Sequence, residues 1–341
     1  MWIWLIGLLI AFLLWWQPSI VRRITTAGHE WWEIYLRRLM FQSACSEARD
    51  DPDSGLRLYQ LDENDVARTI QCLHKMLKEV PDMKTLQLSL SDLSTEAFLK
   101  IWAETQHLLK WSFHGCRLGY DQWSEDKNLA LQPLRRGRVR VLHAIDCHIT
   151  APQLHHVAQD FGRPQMTAVE MTKKVNRAVP DLSLAWNLMA LNLSMNPLVG
   201  AGRSLGTLMR SLPTLTALVL MQCELTLEDI EQIAKALPRS SLYYLELAQN
   251  ALGSKGLLAI ARTLAGSKLQ SLGLERNEIE AGDALNELKL AHDKRPFSNL
   301  KLNHNHLSPN DLKAFEDSLK KVTSDFCPPG CRCFEGRGEV M

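Results

Sequence analysis

The stretch that decides the fold runs from Leu188 to Leu307 and writes one eleven-residue pattern five times. It reads LMALNLSMNPL at 188–198, LTALVLMQCEL at 215–225, LYYLELAQNAL at 242–252, LQSLGLERNEI at 269–279 and FSNLKLNHNHL at 297–307. The second apolar anchor falls at Leu191, Leu218, Leu245, Leu272 and Leu300, so every step but the last has the same length and the last is one longer. A fixed period of this size marks an array of stacked units, none of which buries its apolar face alone. Within each unit the alternation around the second and third anchors predicts a strand. The ninth position (Asn196, Cys223, Asn250, Asn277 and Asn305) holds a small polar side chain or a thiol, and is called the ladder position below.

Working outward, the same pattern recurs upstream. Leu108–Leu118 fits at every anchor, with Trp111 and Phe113 in place of leucine, and Val139–Ile149 fits with the small Ala144 at one anchor. Met83–Leu88, closing at Leu93, is a further unit, while Leu56–Leu58 followed by a helix-like 65–80 reads as an atypical first repeat or cap. The step from Leu142 to Leu191 is nearly twice the usual one, long enough for a degenerate unit at Met166–Met171 with Lys174 at its ladder position. The second half of each unit reads as a helix. Thr226 and Asp229 have capping-box spacing before 230–237, and Ser308, Pro309 and Asp311 open the last helix with proline at its first turn.

The motif L-x-x-L-x-L-x-x-N/C-x-L and the length of the units resemble the ribonuclease-inhibitor-like class of leucine-rich repeats. That class carries a glycine six positions after the ladder residue; it stands here as Gly202 and Gly256, is replaced by Asp229 and Asp311, and comes one position early as Gly282. The resemblance covers about residues 56–320. It implies an α/β horseshoe solenoid with one strand and one helix per repeat, and protein recognition as the function. Some members of the class accelerate GTP hydrolysis by small GTPases, so a GTPase regulator is the alternative in another functional class.

Strand parity selects the side chains free to bind. Anchors face the core, so intervening residues line the concave sheet. Its central column reads Gln87, Ser112, His143, Glu170, Asn192, Val219, Glu246, Gly273 and Lys301. Met195, Val219, Met221 and Tyr244 form an apolar patch there, rimmed by Gln222, Glu246, Glu275 and Arg276. An apolar centre with an aromatic and a polar rim is the composition of a protein interface. Together these side chains are the expected partner-binding set.

No other constellation competes with it. Cys116, Cys147 and Cys223 occupy ladder positions, where a buried thiol serves neighbouring backbone groups and suits a reducing compartment. Cys327, Cys331 and Cys333 crowd the tail in a spacing that matches no zinc motif. His143 and His148 differ in strand parity, as do His304 and His306 across the ladder Asn305, so no shared metal is expected. The glycines of 200–207 lack the lysine and spacing of a phosphate loop and coincide with the turn and helix start of a repeat. Asn192 to Ser194 is a formal glycosylation sequon inside a strand. No nucleophile–base pair stands out, so no enzyme activity, cofactor or metal is expected. A net charge of +1, with acids and bases interspersed, removes the electrostatic argument for nucleic acid.

The other end of the chain has a different solvent. Residues 1–16, MWIWLIGLLIAFLLWW, carry no charge. Trp2, Trp4, Trp15 and Trp16 lie within this run, and Trp31 and Trp32 follow soon after it. With neither a basic leader region nor a small-residue cleavage site, the segment reads as a retained membrane-anchor helix rather than a cleaved signal. A helix of this length reaches only about 24 Å, short of a hydrocarbon core of about 30 Å, so spanning requires thinning or continuation past Pro18. Arg22, Arg23, Arg37 and Arg38 all follow the apolar run, which places the repeats on the cytosolic side. In residues 29–41, Trp32, Tyr35, Leu36 and Leu39 share a helical face that suits either the bilayer interface or a cap on the first repeat. The chain therefore divides into an anchor (1–21), an amphipathic juxtamembrane helix (22–45), a polar linker (46–55), the array (56–320) and a cysteine-containing tail (321–341). The expected whole is a membrane-anchored scaffold holding a protein partner on its concave face. A secreted or lumenal binding protein is the reading if the segment from Met1 to Ile20 is removed.

Overall fold

The computed structural model describes residues 55–61, 66–81, 83–122, 128–135, 139–162 and 187–313. The anchor, the juxtamembrane helix, residues 46–54 of the linker and the tail with its three cysteines lie outside these residues. Among the described residues, no helix is long and apolar enough to cross a membrane.

Among the described residues, nine strands form one parallel sheet in strict chain order. They are β1 (Leu56–Tyr59), β2 (Thr85–Ser89), β3 (Lys110–His114), β4 (Val141–Ile145), β5 (Ala190–Asn192), β6 (Ala217–Val219), β7 (Tyr244–Glu246), β8 (Ser271–Gly273) and β9 (Asn299–Lys301). The repeat register is kept across the sheet: Leu191 pairs with Leu218, Leu218 with Leu245, Leu245 with Leu272 and Leu272 with Leu300. Each anchor therefore stacks on the same anchor of the next unit, which gives one continuous core from Leu56 to Leu302. A sequence period becomes a column of leucines.

Helices cover the other side: α1 (Val66–Glu79), α2 (Thr95–Thr105), α3 (Ala151–Gly162), α4 (Gly202–Ser211), α5 (Leu227–Ala236), α6 (Gly253–Leu264) and α7 (Asp283–Lys294). Helix α6 shows why they form. Leu257, Ile260, Ala261 and Leu264, spaced at helical intervals, are all buried on one face, while its Lys255 and Arg262 stay outside. Packing runs neighbour to neighbour from α3 to α7. In the early units aromatics replace leucine: Phe98 and Trp102 of α2 meet Phe113 and Trp111 of β3 at ring-centroid separations of 6.0 and 4.8 Å.

The degenerate unit expected at Met166–Met171 lies outside the described residues. The sheet passes directly from β4 to β5, with Val141 on Ala190, Leu142 on Leu191 and His143 on Asn192. Helix α3 likewise packs on α4. There is no rung between them for another strand, so the concave column expected to include Glu170 runs straight from His143 to Asn192. The long step between Leu142 and Leu191 misleads because length alone does not distinguish a repeat from an insertion.

The turns between strand and helix carry the main local conflict. Gln60, Leu90, Asp146, Met195, Gln222, Gln249, Arg276 and His304 stand at matching turns of their units, and all have left-handed backbone (φ between 50° and 61°). Such a conformation disfavours non-glycine residues by roughly 1 kcal/mol each. Ladder side chains hold the turns in place. Asn250 Oδ1 accepts from Cys223 N (2.9 Å) and Leu225 N (3.3 Å), and its Nδ2 donates to the carbonyls of Leu220, Leu247 and Ala248 at 2.7–3.1 Å. Asn196, Asn277 and Asn305 repeat the arrangement.

The position six along from the ladder is where helices crowd. Gly202 sits against the backbone of Asp229, and a Cβ there would collide with the Asp229 Cα and carbonyl group. Asp229 occupies the same position one unit on. Its Oδ1 accepts from Gly202 N (2.7 Å), and its Oδ2 accepts from Gly200 N (3.0 Å) and from the N–H and hydroxyl of Thr226. Burial alone would raise the Asp229 pKa, but the bonds from Thr226, Gly200 and Gly202 outweigh it and hold the carboxyl below its ordinary value. The expected capping box is present, and the same carboxylate also fastens one repeat to the next.

Candidate partner-binding face

The register sets the inner columns of the sheet. One column runs Val141, Ala190, Ala217, Tyr244; the next runs His143, Asn192, Val219, Glu246, Gly273, Lys301. Val141, Ala190 and Ala217 make a small apolar cluster apart from the main core, and Tyr244 packs against it. Two alanines in succession leave a trough, and the tyrosine of the following strand fills it.

This corrects part of the expected binding set. Val219 is only 6% exposed, because Asn192 and Glu246 stand on either side of it in the sheet. Glu246 is also 6% exposed and is not a solvated rim acid. Its carboxylate accepts from the Tyr244 hydroxyl (2.9 Å) and Ala248 N (3.3 Å), and lies 3.6 Å from Lys301 Nζ. Gly273 makes this possible. It stands between Glu246 and Lys301 in register, and a side chain on it would overlap the Glu246 carboxylate. A glycine in a strand commonly marks such a close approach. Here it lets one side chain cross a whole strand.

The remaining members keep accessible surface. Met195 is 40% exposed, Gln222 and Arg276 are exposed, and Met221, Tyr244 and Glu275 are half-buried. Met195, Gln222 and Arg276 share the left-handed position ahead of their ladder residues, so the same turn presents one side chain per repeat at the lip of the sheet. The patch is narrower than its sequence suggests.

The first four strands hold a second group, which a reading centred on the five clean repeats misses. Arg57, Lys110, His114 and His143 all fall on concave parity, spread over β1, β3 and β4. The Ser112 hydroxyl and His114 Nε2 are 2.8 Å apart. Burial first, and the nearby Arg57 charge second, lower the Lys110 pKa; burial and then Lys110 lower that of His114. His143 is buried, and burial, Lys110 and His114 together bring its pKa down to about 3, so it is neutral at physiological pH. The signal is legible once the parity count is extended to the aromatic and atypical units, which places all four on one face.

The ladder cysteines are buried. Cys223 Sγ donates to the Leu193 and Met221 carbonyls at 3.2 and 3.5 Å and faces the Asn196 N–H, so a thiol supplies the donor half of the asparagine role and only a weak acceptor for the other half. Burial pushes all three thiols up, Cys223 to about 12. A thiol reacts through its thiolate, so Cys116, Cys147 and Cys223 are expected to stay unlabelled by a maleimide at neutral pH in the folded chain. All three should label once the chain is in denaturant. Peptide mapping by mass spectrometry checks this, and rapid labelling of Cys147 under native conditions would contradict its burial. Among the described residues, no group of three potential ligands could hold a metal ion.

A family model described as Leucine Rich repeat matches residues 240–261, which span β7 and most of α6. The matched stretch reads as one leucine-rich repeat, and the stacked strand–helix units around it have the architecture of a leucine-rich-repeat solenoid. Among solved structures, an internalin from Listeria monocytogenes shares 17% identity, with 74% of this chain and 56% of that protein covered and a TM-score of 0.39. The matched region thus spans little more than half of the internalin. No curated protein matches the chain. These findings concern the leucine-rich-repeat fold in general and do not single out the ribonuclease-inhibitor-like subtype.

Proposed function

We propose that this leucine-rich-repeat chain is a non-enzymatic interaction scaffold that holds a protein partner on its concave face, tethered to a membrane by its N-terminal segment with the repeats in the cytosol. The observation that carries the binding reading is the exposed Met195 beside the half-buried Met221 and Tyr244, with Gln222 and Arg276 at the lip. A thioether adapts to irregular apolar surfaces, and arginine at a rim is typical of interfaces. The tether rests on the uncharged, tryptophan-rich residues 1–16 and the arginines that follow them.

Because Tyr244 packs on the chain's own alanines, the cleaner probes are the exposed Met195 and Arg276. Proximity labelling from the full chain in intact cells is expected to enrich a defined protein set. Met195→Asp with Arg276→Asp should remove that set and leave the melting temperature unchanged; an undiminished set would overturn the concave site. Deleting residues 1–45 should shift labelling away from membrane proteins, and an unchanged profile would overturn the tether.

A further inference from the structure

The concave surface of β1–β4 is charged in one sense only. Its charges are those of Arg57 and Lys110; the imidazoles of His114 and His143 and uncharged side chains such as Gln87 and Ser112 make up the rest, and none of these residues is acidic. One acid, Asp146, stands exposed at the lip beyond β4 and bounds the strip on that side. Acids that form ion pairs in these units sit elsewhere: Glu79 lies beside Lys75, Glu104 beside His74, Glu96 beside Lys100 and Asp92 beside Arg117. Among the described residues, neither Lys110 nor Arg57 has a carboxylate partner. Lys110 is half-buried, and its charged or titratable neighbours on this face are cationic or imidazole groups. A partly desolvated ammonium repelled by its surroundings is unfavourable in the free protein. A carboxylate laid beside it would remove both penalties at once.

We propose that this strip binds an extended, carboxylate-rich segment of a protein partner, with Arg57 and Lys110 as the anion-binding residues and His114 as an adjoining donor. This rests on the reading of the concave face as the binding face. Two features argue for a peptide rather than a free anion. Tyr59 (47% exposed) flanks Arg57 and Leu90 (60% exposed) follows β2, so apolar contacts border the charges. The sheet also gives direction. Glu275 beyond β8 repels an acidic segment, so it lies over β1–β4 and its apolar continuation points toward Met221 and Met195. Charge placed in this way fixes register and speeds encounter more than it adds affinity.

The test uses the full chain in a non-ionic detergent and a short fluorescein-labelled peptide of alternating glutamate and leucine, with its glutamine counterpart. Fluorescence anisotropy is expected to show saturable binding of the glutamate peptide that weakens with added salt, and at least about tenfold weaker binding of the glutamine peptide. Arg57→Glu, at an exposed position, and Lys110→Glu are each expected to weaken the glutamate peptide by about tenfold or more. Lys289→Glu, on the exposed face of α7 away from the sheet, should leave it unchanged. Equal binding of the two peptides, or undiminished binding to both charge variants, would overturn the proposal. Phosphatidylserine vesicles form the second arm: vesicle binding that depends on Lys110, without peptide binding, would assign the strip to a membrane and overturn it too. Loss of the cellular partner set in the Met195 and Arg276 variant tests the central patch separately, so the two readings fail independently.

Discussion

Acidification from pH 6.5 to about pH 3 is expected to remove on the order of 5 kcal/mol of stability through His143 alone. Burial, Lys110 and His114 hold its folded pKa at about 3, against an ordinary value of 6.5. Between those values the unfolded chain binds the proton and the folded chain does not, so each step down in pH favours unfolding. The contribution is fully present above about pH 6.5 and lost progressively as pH falls toward 3. His114 and His292 are also lowered and act in the same sense. Asp229 acts in a different window: its carboxyl is held below 3.8, so its contribution persists above that value and is lost only in stronger acid. Urea unfolding at pH 7, 6, 5 and 4 isolates His143 when wild type is compared with His143→Gln. The variant should show a clearly flatter profile. Parallel profiles would mean that the imidazole is solvated in the folded chain.

The second large effect is expected at a ladder asparagine. Asn250→Ala removes two accepted and three donated hydrogen bonds. The Ala248 carbonyl retains a bond from Gln222 N, but the N–H groups of Cys223 and Leu225 lose their acceptor inside a buried turn. Unsatisfied buried groups cost about 1–3 kcal/mol each, so a loss of about 4 kcal/mol is expected. The turn is also left-handed at Gln249 and Ala251, and without the amide nothing offsets that preference. Asn250→Cys separates the two halves of the role. A thiol supplies a donor and only a weak acceptor, as at Cys223, and should lose roughly half as much. Equilibrium urea unfolding measures both. A fall in the m-value of Asn250→Ala would show the last repeats detaching separately, which nearest-neighbour coupling in a solenoid allows. A loss under about 1 kcal/mol would show that the backbone holds the turn unaided.

The sequence by itself determined the repeat, its strand register, the inward anchors and the Thr226–Asp229 cap. Each depends on spacing within one unit or on the constant step between units, and a constant step leaves no freedom in which leucine stacks on which. Parity also placed Met221 and Tyr244 on the concave side of the sheet, whereas Met195 has the parity of an anchor and reaches the lip through its left-handed turn. How much of each side chain remained accessible was decided by residues one or two repeats away. Tyr244 is bedded by Ala217 and Ala190, and Val219 is covered by its lateral neighbours. Glu246 is drawn across Gly273 to Lys301 because a single missing side chain opens that path. The direct pairing of β4 with β5 was likewise settled only in three dimensions. A strand reports its own pattern, while the identity of its neighbour is a property of the assembled sheet. The basic strip of Arg57, Lys110, His114 and His143 shows both levels together. Parity in the sequence puts these residues on one face, and only the tertiary structure shows that, among the described residues, no carboxylate on the face of β1–β4 comes with them.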